Sequence, residues 1–271
     1  MDYINQMFGL EGVTVAITGG GGVIAGAMSE ALLKAGAKVA LWDIEQKFSD
    51  DAVDRLDQAT GARDRMASIQ ADAMAEESVK DAVDKTVEKL GSLDVLINAA
   101  GGNRGKGPFL ETDMEQFEFV LKLNLVAGLM VPTKVVAAYW IEKKQEGAII
   151  NLASMASYIP LSGVWAYDAA KSAVMNLTMG AAKEFAPHGI RVNAIAPGFF
   201  LGKQNKALLI DEATGDLTLR GQAVIDHTPY GRFGEAAELS GTTLFLASKI
   251  AAGFVTGVII PVDGGYLVHN I

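Results

Sequence analysis

The chain has 271 residues, no cysteine and a formal net charge of −9, from 23 basic and 32 acidic residues. Hydrophobic residues make up 50% of it, which is typical of a globular protein rather than a disordered one. The lack of cysteine excludes disulfides, thiol catalysis and cysteine metal sites. The acidic charge argues against nucleic acid as a partner. Because the first residues lack a basic, apolar leader, we expect a cytoplasmic protein without a membrane anchor.

Short, nearly continuous apolar runs predict strands that are buried on both faces. These runs are Val13–Thr18, Lys38–Asp43, Leu93–Asn98, Ala148–Ser154, Arg191–Pro197 and Val258–Val262, with a weaker candidate at Arg65–Gln70. Helical spacing lies between them, as in Ala25–Ala35, which ends before Gly36, and in Glu76–Leu90. The alternation predicts an α/β fold, with a doubly wound parallel sheet of about seven strands and helices on both faces. We expect a single Rossmann domain over residues 1–271.

A glycine-rich loop follows the first predicted strand. Gly20-x-Gly22-x-x-Ala25 fits the dinucleotide-binding pattern, in which glycines let backbone N–H groups approach a pyrophosphate at a helix N-terminus. A plain strand-to-helix turn is the alternative. The Gly-Lys pairs at Gly105 and Gly202 are not followed by Ser or Thr, so neither fits a P-loop.

An acidic residue ends the second predicted strand, 21 residues after Gly22. This residue, Asp43, can accept hydrogen bonds from an adenosine ribose and would repel a 2′-phosphate, which favours NAD over NADP. The alternative for Asp43 is a solvated helix cap.

Tyr167 and Lys171 are four residues apart, on one face of a predicted helix. A nearby cation favours the phenolate and would make the phenol a usable acid–base group. Tyr139 and Lys143 have the same spacing, so the spacing alone is weak. Ser154 distinguishes the two pairs, because it lies 13 residues before Tyr167, at the carboxyl end of a predicted strand.

Two other kinds of catalytic site are disfavoured. Ser154 is not in a G-x-S-x-G motif, and His188, His227 and His269 lie in no motif, which argues against a hydrolase triad. No spacing of His, Asp and Glu suggests a catalytic metal, so we expect none.

Together these residues resemble the short-chain dehydrogenase/reductase family. The markers occur in the family's order over nearly the whole chain: Thr18-Gly19, Asp43, Asp72, Asn98-Ala99-Ala100-Gly101, Asn124, Ser154, Tyr167-x-x-x-Lys171, Asn193-Ala194-Ile195-Ala196-Pro197-Gly198 and Val262-Asp263-Gly264-Gly265.

The resemblance implies a role for each catalytic candidate. Tyr167 would be the general acid/base, and Lys171 would bind the nicotinamide ribose and lower the pKa of Tyr167. Ser154 would bind the substrate oxygen, and Asn124 would hold a water of the proton relay. The implied cofactor contacts are Gly19, Gly20, Gly22, Val23, Ile24, Asp43, Asp72, Asn98, Ala99, Ala100, Gly101, Tyr167, Lys171, Pro197 and Gly198, with Ile195 along the nicotinamide.

The chain departs from the family pattern in two places. Val23 and Ala25 occupy the positions of the last two glycines of the usual loop, so the sequence leaves open which glycines reach the pyrophosphate. Phe199, Phe200 and Leu201 follow Pro197-Gly198 where the family often has a threonine that binds the carboxamide.

The substrate is expected under a loop at residues 198–230 and beside the segment that follows the predicted strand Leu93–Asn98. Four polar or cationic residues there suggest an anionic small molecule, with solvated loops as the alternative: Asn103, Arg104, Lys203 and Arg220. The chain resembles a subgroup that includes D-mannonate oxidoreductases, also called fructuronate reductases. A 3-oxoacyl or general ketone/alcohol reductase and a non-catalytic dinucleotide-binding protein are the alternatives. The resemblance also implies a homotetramer.

Overall fold

A computed structural model describes residues 2–202, 206–211 and 214–269. Within them, seven parallel strands form one sheet in the order β3-β2-β1-β4-β5-β6-β7. The strands are β1 Thr14–Thr18, β2 Lys38–Asp43, β3 Met66–Gln70, β4 Val95–Asn98, β5 Gly147–Leu152, β6 Ile190–Pro197 and β7 Ile259–Val262. This confirms the predicted doubly wound sheet, including the weaker third strand.

Helices connect the strands and cover both faces. They are α1 Tyr3–Phe8, α2 Val23–Lys34, α3 Gln46–Thr60, α4 Glu76–Leu90, α5 Met114–Leu121, α6 Val131–Lys143, α7 Trp165–Phe185, α8 Lys206–Leu209, α9 Leu219–Asp226 and α10 Ser240–Ala247. A π-helical stretch, Lys122–Met130, joins α5 to α6. The apolar side chains of α2 and α3 pack on one face of the sheet, and those of α4 and α6 pack on the other.

Local sequence explains where these helices begin and end. The apolar spacing in α4 buries Val79, Val83 and Leu90, as the sequence predicts. After α2 the chain reverses at Gly36, whose φ of +96° lies in the left-handed region that favours glycine.

The continuous helix Met114–Lys143 is apolar enough to cross a membrane, with a mean hydropathy of 1.6. Burial in the protein core also explains its apolar composition, because 56% of its most apolar 18-residue stretch is buried inside the fold. It contacts α4 on one side and α7 on the other.

The order of the strands reverses between β1 and β4, so the connections on the two sides of this point lead away in opposite directions. In doubly wound sheets a crevice forms there, outside the carboxyl ends of the strands. Most of the predicted site residues follow the carboxyl ends of the strands in this sheet.

Candidate active site

The loop after β1 turns so tightly that its glycines have no room for side chains. Gly19 has a φ of +64°, in the left-handed region. A Cβ on Gly20 would lie 2.9 Å from the Cβ of Leu41. The N–H groups of Gly20 and Gly22 donate to the carbonyl oxygens of Trp42 and Gly19, both at 3.0 Å. Gly20 and Gly22 therefore shape the turn, and their N–H groups are already engaged in holding it.

The N-terminus of α2 supplies the donors at this end of the sheet. Its first bond within the helix runs from the Gly26 N–H to the Gly22 carbonyl at 2.9 Å. The N–H groups of Val23, Ile24 and Ala25 come before Gly26 in the first turn and have no acceptor within the helix. They carry the positive end of the helix dipole. This arrangement suits a phosphate or pyrophosphate.

Asp43 and an unanticipated arginine flank the glycine loop. One carboxylate oxygen of Asp43 accepts from the Gly21 N–H at 2.9 Å, and the other accepts from the Ile44 N–H at 2.9 Å. Arg55, on α3, donates from Nη2 to the Gly21 carbonyl at 3.3 Å. Sequence reasoning missed Arg55, because its approach depends on how α3 packs and leaves no local motif. The loop therefore lies between a carboxylate and a guanidinium.

Asp72 lies beside the end of β2. The N–H of the preceding residue, Ala71, donates to the Asp43 carbonyl at 2.7 Å. One carboxylate oxygen of Asp72 accepts from the Met74 N–H at 2.8 Å and so closes the turn that leads to α4. The predicted residues Asp43 and Asp72 thus lie at neighbouring strand ends.

The segment after β4 is fixed by Thr18, at the end of β1. The Thr18 hydroxyl accepts from the N–H groups of Ala99 and Ala100, both at 3.1 Å. A Cβ on Gly19 would lie 3.0 Å from the Ala100 Cα, so the glycine loop and this segment are in direct contact. The Thr18 side chain therefore holds Ala99, Ala100 and Gly101 next to the glycine loop.

Asn98 ends β4. Its side chain is fully buried, and its Nδ2 donates to Thr133 Oγ1 at 2.9 Å and to Asn151 Oδ1 at 2.8 Å. These bonds make its amide a link between β4, β5 and α6, and the side chain supports the sheet. Its contact with the cofactor stays a prediction.

Ser154 follows the end of β5 and is held in a turn of its own. Its Oγ accepts from the Ala156 N–H at 3.2 Å, which leaves the hydroxyl proton free to be donated. Ser157, which sequence reasoning did not single out, accepts from the Ser154 N–H at 3.3 Å and donates to the Lys171 carbonyl at 2.6 Å. Ser157 therefore joins the serine turn to α7.

Tyr167 and Lys171 lie on the first turns of α7, next to Ser154. The Ser154 hydroxyl lies close enough to the Tyr167 phenol to oppose the rise in its pKa. The ammonium of Lys171 is buried, lies 5.6 Å from the centre of the Tyr167 ring, and donates to the Leu152 carbonyl at 2.7 Å. The structure thus brings together the three side chains that the sequence grouped. In the alternative pair, by contrast, Lys143 is exposed.

The pKa of Tyr167 moves in the direction opposite to the prediction. Burial of the phenol raises its pKa, the hydrogen bond to Ser154 opposes that rise, and the negative charge of Asp168 adds to it. Lys171 was expected to lower the pKa of Tyr167. Burial instead lowers the pKa of Lys171 itself to about 8, because a charged ammonium is poorly solvated there.

Asn124 lies in the π-helical stretch, a feature that is frequent at functional sites. Its Nδ2 donates to the Gly102 carbonyl at 2.6 Å, and its Oδ1 accepts from the Gly102 N–H at 3.1 Å. A Cβ on Gly101 would lie 2.7 Å from Asn124 Oδ1 and 3.7 Å from Lys171 Nζ. Asn124 therefore fixes the segment after β4 close to the lysine.

Pro197 and Gly198 end β6 against the C-terminal segment. The Gly198 N–H donates to the Val262 carbonyl at 2.9 Å, and a Cβ on Gly198 would lie 2.7 Å from the Asp263 Cα. Only glycine permits this approach, which brings the C-terminal residues to the mouth of the crevice.

The four predicted substrate residues are in different situations. Asn103 is exposed and donates to the Gly105 carbonyl at 2.9 Å. Arg104 is exposed, with its guanidinium 4.2 Å from the centre of the Phe119 ring. Arg220 is partly buried on α9, and Lys203 lies outside the described residues. The structure therefore does not gather these residues into one group.

The segment that carries Asn103 and Arg104 is nevertheless attached close to Tyr167. The Gly107 N–H donates to the Gly163 carbonyl at 3.1 Å, and Trp165 Nε1 donates to the Gly107 carbonyl at 3.0 Å. The rings of Phe109 and Trp165 meet edge to face with centres 5.3 Å apart. Because Trp165 is two residues before Tyr167, the segment after β4 forms one side of the entrance to the site.

These residues fit a nicotinamide dinucleotide. The side-chain-free turn at Gly19 and Gly20 and the helix dipole of α2 suit the pyrophosphate. Asp43 is placed for the adenosine ribose, and Ser154, Tyr167 and Lys171 lie where the reactive end of the dinucleotide would meet a substrate. In the part of the chain that the structure describes, no group of three or more His, Cys, Asp or Glu residues could hold a metal ion.

Comparison with known proteins gives the same assignment. A family model described as enoyl-(acyl carrier protein) reductase matches residues 21–267. An uncharacterized oxidoreductase of Bacillus subtilis (strain 168), UxuB, is 38% identical, with 96% of this chain and 97% of that protein covered. The 5-keto-D-gluconate 5-reductase of Escherichia coli (strain K12) is 36% identical, over 98% and 99% of the two chains.

Two solved structures are similar along their whole length. One, from Haemophilus influenza, is assigned as a D-mannonate oxidoreductase and holds NAD. Its TM-score is 0.89 at 34% identity, covering 99% of both chains. The other is a gluconate 5-dehydrogenase from Burkholderia cenocepacia J2315 in complex with NADP and tartrate. It has a TM-score of 0.88 at 30% identity and covers 99% and 100% of the two chains. The fold, the site and these relatives agree that the chain belongs to the short-chain dehydrogenase/reductase family, whose members are oxidoreductases acting on CH–OH groups.

Proposed function

We propose that this protein is an NAD-dependent oxidoreductase that interconverts a keto group and a secondary alcohol on a sugar acid such as D-mannonate. The observation that carries the proposal is the group of Ser154, Tyr167 and Lys171: Ser154 acts on the pKa of the Tyr167 phenol, and the Lys171 ammonium lies 5.6 Å from the Tyr167 ring centre. This group lies at the same end of the sheet as a glycine loop flanked by Asp43.

The roles follow from the chemistry of these side chains. The bound nicotinamide supplies the hydride for reduction and accepts it in oxidation. Tyr167 protonates the carbonyl oxygen in reduction and removes the hydroxyl proton in oxidation. Ser154 donates a hydrogen bond to the same oxygen, since accepting from the Ala156 N–H leaves its hydroxyl proton unused. Lys171 would hold the nicotinamide ribose, and Asn124 would position a relay water.

The choice of NAD rests on Asp43. Its carboxylate lies against the Gly21 N–H, where a ribose hydroxyl can donate to it and where a 2′-phosphate would meet a like charge. Arg55 reduces this preference for NAD over NADP, since its guanidinium lies at the other side of the same loop and could bind a 2′-phosphate. Relatives of this chain hold NAD or NADP, which is consistent with a preference set by few residues. A cytoplasmic location would give the enzyme access to this cofactor.

The choice of a sugar acid rests on the relatives and on local charge. The relatives include proteins named for gluconate and mannonate chemistry. In a chain of net charge −9, Arg104 and Arg220 both lie on segments that border the site. Residues 198–230 would form the substrate loop of this single domain, and the assembly would be a homotetramer as in similar proteins.

Absorbance at 340 nm tests the proposal. Purified enzyme should produce NADH from NAD with at least one of D-mannonate, D-gluconate and related sugar acids, and the rate with NADP should be lower. If it oxidises neutral alcohols and polyols but no sugar acid, the enzyme is a general alcohol/ketone reductase. If nucleotide binds but no substrate in a broad panel is turned over, the protein is a non-catalytic dinucleotide-binding protein.

A further inference from the structure

Two of the three histidines, which lie in no sequence motif, meet in the structure. The ring centres of His227 and His269 are 4.3 Å apart, and the planes are tilted by 39°. His227 also contacts Tyr266, with 4.4 Å between ring centres, and Tyr266 contacts Phe199 at 5.2 Å. This row of rings combines the end of α9, the C-terminal segment and the residue that follows Gly198.

Arg220 adds a cation to this row. Arg220 and His227 are about two helical turns apart along α9, so their side chains leave the same face of that helix. The charge of Arg220 also opposes the rise in the Tyr266 pKa that burial causes. No carboxylate of residues 2–202, 206–211 and 214–269 forms an ion pair with Arg220. Arg232, by contrast, is held by both carboxylate oxygens of Glu238. The guanidinium of Arg220 is therefore available to an anion from outside the described chain.

Two acidic side chains close in sequence to the histidines and Tyr266 accept hydrogen bonds from other groups. The carboxylate of Asp263 accepts from the N–H groups of Gly265 and Leu267, both at 2.9 Å. Asp226 accepts from Gln222 Nε2 at 2.7 Å. None of these hydrogen bonds involves Arg220, His227 or His269.

The row also borders the catalytic candidates. Tyr266 packs against the apolar cluster that contains Ala153 and Met155, the residues on either side of Ser154. Phe199 is two residues beyond Pro197, at the end of β6. A substrate whose keto oxygen is bound by Ser154 could therefore extend its chain towards these rings.

We propose that Arg220, His227 and His269 bind the carboxylate of the substrate, with Tyr266 and Phe199 as the wall between them and Ser154. This inference rests on the proposed function, because it assigns the part of the site that recognises the acid. Arg220 supplies a planar pair of donors for a carboxylate, and each imidazole adds an N–H donor. The positive charge of Arg220 would also attract an anion to a protein whose net charge is −9.

The test compares a sugar acid with its own carboxamide, which keeps the hydroxyl groups and loses the charge. D-mannonate, D-gluconate and their carboxamides are oxidised by the wild type and by the Arg220→Gln, His227→Gln and His269→Gln variants. Arg220→Gln should raise KM for the acid by roughly 10- to 100-fold, the range for a lost charged hydrogen bond. Each histidine variant should raise it by a smaller factor, while kcat and the KM of the carboxamide stay within about twofold.

His188→Gln is the matched control, because His188 precedes β6, at the opposite end of that strand from Phe199, and the variant should leave both KM values unchanged. Arg220→Lys, which keeps the charge and loses the planar donors, should fall between wild type and Arg220→Gln. Calorimetric binding of D-gluconate to Tyr167→Phe, with and without Arg220→Gln, gives a readout that needs no turnover. His269 is exposed, so its variant should fold and carry the test even if Arg220→Gln does not.

The outcomes separate the inference from the function on which it rests. Equal changes in KM for acid and carboxamide, or no change in any variant, would overturn the carboxylate site and leave the sugar-acid oxidoreductase in place. A wild type that oxidises neither sugar acid but does oxidise neutral alcohols would overturn the proposed function, and the carboxylate site with it.

Discussion

The turn after β1 and the described residues of the 198–230 segment (198–202, 206–211 and 214–230) are built differently. The turn is held by backbone hydrogen bonds and by contacts that leave no room for a Cβ on Gly20. In the segment, side chains from distant parts of the sequence meet, as His227 and Tyr266 do. A turn made of backbone can bind the same cofactor whatever the substrate is. Side-chain contacts, in contrast, can be altered by substitution to suit a different substrate. We therefore expect the first region to set the chemistry and the second to set the choice of substrate.

Removing the proton donor should have the largest effect, and it should be independent of the substrate. Tyr167→Phe should lower kcat by about 10²- to 10⁴-fold for every substrate, the usual contribution of a general acid–base group. Binding of NAD, measured by fluorescence titration, should be nearly unchanged. Tyr139→Phe is the matched control, and it should keep the wild-type rate. A Tyr167→Phe variant with more than a tenth of the wild-type kcat would remove this residue from the mechanism.

Cofactor choice should depend on the turn and not on residues 198–230. Because Asp43 sets a like charge against a 2′-phosphate, kcat/KM should be about a hundredfold or more higher with NAD than with NADP. Asp43→Asn should narrow that ratio, and Arg55→Gln, which removes the opposing cation, should widen it. Wild-type enzyme that prefers NADP would show that the ribose is bound elsewhere.

The rate of oxidation should increase with pH. Since burial raises the pKa of Tyr167, the phenol is protonated at neutral pH, which suits reduction. Oxidation needs the phenolate, so kcat for oxidation should rise by up to about tenfold per pH unit between pH ~7 and ~9. Asp168→Asn should move the rise to lower pH, because the charge of Asp168 contributes to the raised pKa. An oxidation rate that is flat over this range would contradict the direction of the shift.

The smallest expected effect is a change in the free energy of unfolding when a side chain is added where the segment after β4 packs closely. A Cβ on Gly128, in the π-helical stretch, would lie 2.7 Å from the Ala100 carbonyl oxygen, so Gly128→Ala should destabilise the fold by about 1–3 kcal/mol. A Cβ on Gly180, in α7, would have no such neighbour within 4 Å, and Gly180→Ala should be neutral or stabilise by up to about 1 kcal/mol. Chemical denaturation of the two variants measures both changes, and equal effects would contradict the close contact at Gly128.

The contrast between local backbone structure and contacts between distant side chains also explains what the sequence could predict. Strand positions were predicted to within about two residues, because buried parallel strands leave continuous apolar runs. Ser154, Tyr167 and Lys171 were grouped correctly, since their spacing follows from one strand end and one helix. Arg55 and the contact between His227 and His269 were missed, because each depends on how separate elements pack. Burial, which decides the direction of the Tyr167 pKa, likewise leaves no local pattern in the sequence.

Hydride transfer between the nicotinamide and a sugar acid underlies every role proposed for these residues, and isotope labelling follows that hydride itself. Wild-type enzyme is supplied with NADH that carries deuterium at the transferable C4 position and with the keto acid formed from its best sugar-acid substrate. We expect one deuterium in the product, on the carbon that bears the new hydroxyl group, as read by NMR. Product without deuterium at that carbon, or no reduction of any keto sugar acid, would contradict direct transfer.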